Sequence, residues 1–194
     1  STLSVSEMDY DKDWRPRNFR DVSVSLESLG NNTVKGNMVY RGGEFDVLFM
    51  AAQHECIGNP KTILNVRAQA DKLDTFGDKE IRFIHYPTKN GPRDYDTTNR
   101  QIRIWLRDVI TCICSLKEQD YPLYIHCRSG KDRTGIVIGV ILLLLDIPLD
   151  IVVKEYLCSK TGSVSESQIR HALCPFDTPK TLKEAFKKCD IANL

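Results

Sequence analysis

The sequence predicts an α/β fold: a single domain with a mainly parallel central sheet flanked by helices, spanning residues 1–194. Three observations predict it. Short β-branched runs alternate with longer helical patterns. The last of these runs, Pro122 to Ile125, leads through a polar loop into a dense apolar run, Gly135 to Leu145, too long for a typical strand. No repeat, low-complexity segment or linker divides the chain, and its length suits one substantial core.

In order, residues 1–17 are polar and read as an irregular N-terminal arm with Trp14 as its aromatic anchor. Gly30-Asn31-Asn32 marks a turn, and Met38 to Tyr40 a short strand ending at Gly42-Gly43. From Phe45 to Ile57, Val47, Leu48, Met50 and Ala51 keep helical spacing until Gly58-Asn59-Pro60 stops it. Thr62 to Val66 reads as a strand, Asp71 to Phe76 as a short helix, and Ile81 to Tyr86 as another strand. Thr98 to Glu118 is an amphipathic helix, with Ile102, Leu106, Val109, Ile113 and Leu116 on one face. After the run Gly135 to Leu145, the chain closes in helices at Ile151 to Ser159, Glu166 to Leu173 and Thr178 to Cys189. The last has Asp177 or Thr178 as its cap and Pro179 in its first turn.

Chemistry concentrates between the strand at Pro122–Ile125 and the helix that follows. There the chain reads His126-Cys127-Arg128-Ser129-Gly130-Lys131-Asp132-Arg133-Thr134-Gly135. A strand, a tight loop and a helix start together suit an anion, because loop N–H groups turn inward and the helix N-terminus adds positive potential. The same setting favours the thiolate of a cysteine at its floor. Arg133, six residues after Cys127, can fork two N–H groups onto phosphoryl oxygens. Gly130 lets the backbone close, and Thr134 offers a hydroxyl near the sulfur. The fitting chemistry is displacement at phosphorus through a cysteinyl-phosphate, with Arg128, Ser129, Gly130, Lys131 and Thr134 completing the phosphate cradle. A nucleotide-binding loop is excluded, since it requires glycine where Ile125 stands and Ser or Thr where Asp132 stands.

The string from His126 to Gly135 resembles the active-site loop of cysteine-dependent protein tyrosine and dual-specificity phosphatases. Its Lys-Asp-Arg-Thr-Gly ending resembles a bacterial tyrosine-phosphatase-like subgroup whose members also act on phosphoinositides. Asn18-Phe19-Arg20-Asp21-Val22 with Val39-Tyr40-Arg41 is similar to that subgroup's opening motif, although Ser23 replaces a usual glycine. Ile63 to Arg67 and Asp150 to Leu157 match its pattern loosely. The resemblance implies a protein-tyrosine-phosphatase-like fold, a Cys127 nucleophile, no cofactor and no metal. It implies a phosphorylated protein as substrate, or alternatively a phosphoinositide or inositol phosphate. In the phosphoinositide-directed members, a lysine placed as Lys131 is contacts additional phosphates. Arsenate reductases share the Cys-to-Arg spacing but resemble a form with the loop near the N-terminus.

The proton donor to the leaving oxygen stays open. The resemblance implies an aspartate on a loop after a strand, but Tyr86-Pro87-Thr88 carries threonine where that acid would stand. Asp94 and Asp96 follow, and Asp96 also suits the N-cap of the next helix. The preferred donor is Asp132, beside Arg133, which matches an aspartate used as acid in myotubularins. His126 is expected to orient the loop. Arg41 and Arg67 end strands and either face the loop or pair with Asp21 or Asp46.

Composition bounds the rest. A net charge of +1 gives no global field toward nucleic acid. The run Ile136 to Leu145, broken by Asp146 and Pro148, is too short to span a bilayer, so no integral membrane segment is expected. The 7 cysteines, an odd number without a framework, favour a reducing compartment such as the cytoplasm. Secretion as an effector stays open. Cys112 and Cys114 lie in a helical pattern without zinc-site partners and are expected to pack in the core. A phosphate-binding module without turnover is the third reading, disfavoured because both Cys127 and Arg133 are present.

Overall fold

The computed structural model describes residues 13–45, 51–72, 80–88, 95–187, 189, 191 and 194. Its sheet has strand β1 (Arg20–Asp21) at one edge, antiparallel to β2 (Val39–Gly42). Beyond β2 lie β5 (Leu123–His126), β3 (Thr62–Asn65) and β4 (Arg82–His85), all parallel. The sheet is therefore mainly parallel, as expected. Strands β3 and β5 are buried at every residue, as in parallel strands covered on both faces.

Side-chain alternation divides two apolar layers. Leu64, Leu123 and Ile125 face the larger core. That core is closed by α1 (Val22–Ser28), α2 (Arg100–Ser115), α3 (Asp132–Leu144), α4 (Leu149–Leu157), α5 (Glu166–Leu173) and α6 (Pro179–Ala185). Ile63 and Tyr124 face a smaller cluster with Phe45, Cys56 and Ile57, against which Trp14, Phe19 and Tyr40 pack. Trp14 thus anchors the arm, whose residues 1–12 lie outside the described chain. Helix α3 is buried at every position from Thr134 to Leu143, so the run without a polar face is the central helix.

Several boundaries differ from the sequence reading, each for a local reason. Helix α2 starts later because Asn99 is its N-cap, accepting from the N–H groups of Gln101 and Ile102. Asp96 is therefore not the cap. The helix ends at Ser115, and Glu118–Asp120 forms a separate 3-10 turn. Of the helix expected from Phe45 to Ile57, the described part is a 3-10 turn, Ala51–Ile57. Residues 46–50 and 73–79 lie outside the described chain, and with them Asp46 and most of the short helix expected at Asp71–Phe76. Elements β1 and α1 went unread because Val22, Ser23, Val24 and Ser25 alternate like a strand. Asp21 converts the alternation into a helix start by accepting from the Ser23 N–H and hydroxyl, which also accommodates serine at that position. The final helix is capped by Thr178 as expected and stops at Ala185.

The sheet order places the C-terminal ends of β2, β5 and β3 side by side, with Gly42 and Asn65 both in register with His126. Open parallel sheets bind ligands at such an edge.

Candidate active site

The loop Cys127–Lys131 leaves β5 and enters α3 at this edge. Cys127 is buried, only 2% exposed, and unbridged. Gly130 has φ +70°, and a Cβ there would overlap the backbone of Gly42. A Cβ on Gly43 would come within 2.8 Å of the Arg128 carbonyl. Both contacts fix the loop against the end of β2.

Three successive carbonyls of the loop are held from the β1–β2 side. The Glu44 N–H donates to Arg128 O at 3.0 Å, Asn18 Nδ2 to Ser129 O at 2.8 Å, and Arg41 Nη2 to Gly130 O at 3.0 Å. In a planar trans peptide the next residue's N–H points opposite to the carbonyl. The N–H groups of Ser129, Gly130 and Lys131 accordingly turn away from these donors, forming a nest for an anion. Asn18 also accepts from the N–H groups of Lys160 and Thr161, joining the arm, the loop and the chain after α4.

Arg41 does not pair with Asp21. Its Nη1 donates to Glu155 at 2.7 Å, and Arg20 reaches the same carboxylate at 3.2 Å. Burial alone would raise the Glu155 carboxyl, but the charges and hydrogen bonds of Arg41 and Arg20 outweigh it and hold the group below its ordinary value. Arg67 pairs with Glu44 at 2.6 Å and lies 3.6 Å from Asp71. His126, fully buried, sets Nε2 3.0 Å from Asp71 and Nδ1 3.2 Å from the Cys127 carbonyl, which fits an orienting role. Behind the loop Cys127–Lys131, then, Glu155 meets two arginines and Arg67 meets two acids.

Arg133 lies in the first turn of α3, with Nη1 3.5 Å from the Val66 carbonyl. The Thr134 hydroxyl is buried with no hydrogen-bond partner among the described residues, an orphan in the same turn that an anion or thiolate would satisfy. Arg128 is exposed and Ser129 half-buried. Lys131 donates to the Ser163 carbonyl at 2.6 Å and lies 3.8 Å from Asp132. Asp132 opens α3, 42% exposed at its side chain, and accepts a short hydrogen bond from the Tyr95 hydroxyl. Tyr95 also meets the Tyr156 hydroxyl at 2.5 Å.

Of the other donor candidates, Asp94 lies outside the described residues. Asp96 accepts from the Thr98 hydroxyl at 2.6 Å, and that bond holds its carboxyl below the ordinary value, contrary to what an acid needs. Thr88 is buried, with no partner for its hydroxyl among the described residues. Glu155 and Tyr95 were missed in the sequence. Glu155 had a signal, since it shares the apolar face of α4 with Val152 and Tyr156. Tyr95 had none. Among the described residues no group of His, Cys, Asp or Glu is placed to hold a metal ion. No helix among them is long and apolar enough to cross a membrane.

A buried cysteine under a backbone nest, with an arginine in the first turn of the next helix, defines a phosphate-binding class of α/β protein. Residues 15–186 match the tyrosine phosphatase family, and the chain belongs to that family. A curated relative, the triple specificity protein phosphatase PtpB of Mycobacterium tuberculosis, is 30% identical over 77 residues. That match covers 40% of this chain and 23% of PtpB. Among solved structures, the catalytic core of the PP-IP phosphatase Siw14 from S. cerevisiae, in complex with citrate, is 20% identical. It aligns over 88% of this chain and 93% of its own with a TM-score of 0.57. TpbA of P. aeruginosa, in complex with phosphotyrosine, is 17% identical over 78% of this chain and 87% of its own, with a TM-score of 0.52. At these identities the two structures bear on the fold, which is that of phosphatases.

Proposed function

We propose that the protein hydrolyses phosphomonoesters through a cysteinyl-phosphate, with phosphotyrosine and other phosphorylated protein side chains as substrates. The observation that carries this reading is the nest over Cys127, with the Arg128, Ser129 and Gly130 carbonyls held outward. The phosphoryl group sits on the N–H groups of the loop from Arg128 to Lys131, gripped by the Arg133 fork, while the Thr134 hydroxyl supports the sulfur. The Cys127 thiolate attacks phosphorus, forming an S–P bond as the ester O–P bond breaks. Asp132 gives its proton to the departing oxygen. Water then attacks phosphorus, the S–P bond breaks, Asp132 takes the water's proton, and inorganic phosphate leaves with the thiolate restored. A thiolate of this kind operates in a reducing compartment.

A second reading, a phosphoinositide or inositol phosphate substrate, is favoured by Arg128 and Lys131, adjoining cations that further phosphates would meet. The names of PtpB and Siw14 are consistent with breadth in either direction. Turnover of an aryl phosphate, abolished by vanadate, tests the first statement. A panel of phosphopeptides, phosphoinositides and inositol phosphates assigns the substrate. No turnover with intact phosphate binding would instead indicate a binding module.

A further inference from the structure

The hydroxyl pair behind Asp132 has no counterpart among the groups used so far. Tyr156 and Tyr95 meet at 2.5 Å, and the Tyr95 hydroxyl donates to Asp132 Oδ1. Tyr95 has a single hydroxyl hydrogen and gives it to Asp132, so Tyr156 is the donor to Tyr95 and protons along this chain run one way, toward the carboxyl. Hydrogen bonds aligned in one sense polarise one another. Burial, then the bonds to Asp132 and Tyr156, push the Tyr95 hydroxyl far above its ordinary range, so it stays a donor.

The chain rests on rigid supports. A Cβ on Gly135 would come within 2.8 Å of the Tyr156 ring, so that ring lies directly on the α3 backbone. The two tyrosine rings meet edge to face, 6.5 Å apart. Two residues after Tyr95, the buried Thr97 hydroxyl donates to Ala172 O of α5 at 2.6 Å. Asp132 Oδ1 is thereby held by a fixed group, with Lys131 Nζ 3.8 Å from the same oxygen, and the side chain as a whole keeps 42% exposure.

We propose that Tyr95, backed by Tyr156, is a positioning residue that aims the Asp132 carboxyl at the leaving oxygen. This rests on the reading of Asp132 as proton donor. A donor held on one oxygen has fewer orientations to lose when the proton moves, and misplacement of a catalytic group is costly in rate. A tyrosine that merely packed would act equally on every substrate.

The test compares kcat/KM for phenyl phosphate, a poor leaving group, with that for p-nitrophenyl phosphate, in Tyr95→Phe, Tyr156→Phe, Asp132→Asn and the Tyr95→Phe/Asp132→Asn double variant. All are assayed below their own melting transitions. Tyr95→Phe is expected to lower the phenyl value roughly tenfold, within the general-acid contribution, and to change the p-nitrophenyl value by no more than about twofold. Tyr156→Phe should move the same way by less, and the double variant should be no worse than Asp132→Asn. Leaving-group sensitivity in Asp132→Asn but not in Tyr95→Phe would overturn the positioning role and leave Asp132 as donor. Absence of sensitivity in Asp132→Asn would overturn the donor reading, and the positioning role with it. An equal loss on both esters in Tyr95→Phe, or additive losses in the double variant, would make Tyr95 structural only.

Discussion

Arg41 and Glu155 meet at 2.7 Å with both side chains essentially sealed from solvent, at 1% and 0% exposure. The same guanidinium donates to the Gly130 carbonyl at 3.0 Å, so the ion pair also backs the loop Cys127–Lys131. Arg20 supplies the second cation and donates to the Glu155 backbone carbonyl as well. A helix outside the loop is thus coupled to the loop by one acid and two bases.

Removing that acid leaves two arginines beside each other with no counter-charge. Glu155→Ala should destabilise the fold by about 3–5 kcal/mol, the usual cost of orphaning a buried charge. Urea unfolding monitored by tryptophan fluorescence measures it. A loss below about 1 kcal/mol would be that of an exposed pair.

The same group sets a pH dependence. Its carboxyl is held below the ordinary value in the fold, so the unfolded chain binds its proton more readily. The stability it contributes is complete above the unfolded value of about 4.3 and is lost as pH falls through the lower folded value. Stability measured from neutral pH downward should therefore fall through this acidic window. Glu155→Gln should be less stable near neutral pH and flatter through this window, so that the two curves converge toward its acid end, whereas parallel curves would deny the linkage.

Gly130 holds a left-handed φ of +70° against the Gly42 backbone. Gly130→Ala should cost about 1–2 kcal/mol from the backbone alone, plus displacement of one loop from the other. The expected signature is a large fall in kcat and in vanadate affinity, with the helical circular dichroism preserved. Unchanged vanadate affinity would show that the two backbones separate without disturbing the nest.

Arg133→Lys keeps the charge and loses the planar fork. We expect kcat to fall by roughly 10²–10³, as when a transition-state donor is removed. A raised KM at constant kcat would assign Arg133 to substrate binding alone.

What was legible in the sequence follows what local chemistry encodes. The strand–loop–helix around Cys127 could be read because a buried apolar run, a glycine, a cysteine and an arginine lie within one short stretch. The central helix could be read because Ile136 to Leu143 has no polar residue. The supports of the loop were hidden by distance along the chain. Asn18 reaches Ser129 across 111 residues, and Arg41 reaches Glu155 across 114. Arg41 has acids nearer in sequence, but Asp21 is taken up as the cap of α1. Asp96 read as a cap from spacing alone, yet Asn99 sits one turn closer to the apolar stripe and takes that place. Tyr95 carries no motif at all; only the fold brings its hydroxyl to Asp132.

The central claim is that Cys127 carries the phosphoryl group during turnover. The most direct measurement is to mix the protein with an aryl phosphate radiolabelled at phosphorus, quench in acid within one turnover, and locate the label by peptide mapping. The account predicts label on the peptide bearing Cys127, and none anywhere in Cys127→Ser, whose hydroxyl is not ionised near neutral pH. Label on another residue, or turnover comparable to the parent protein in Cys127→Ser, would contradict it.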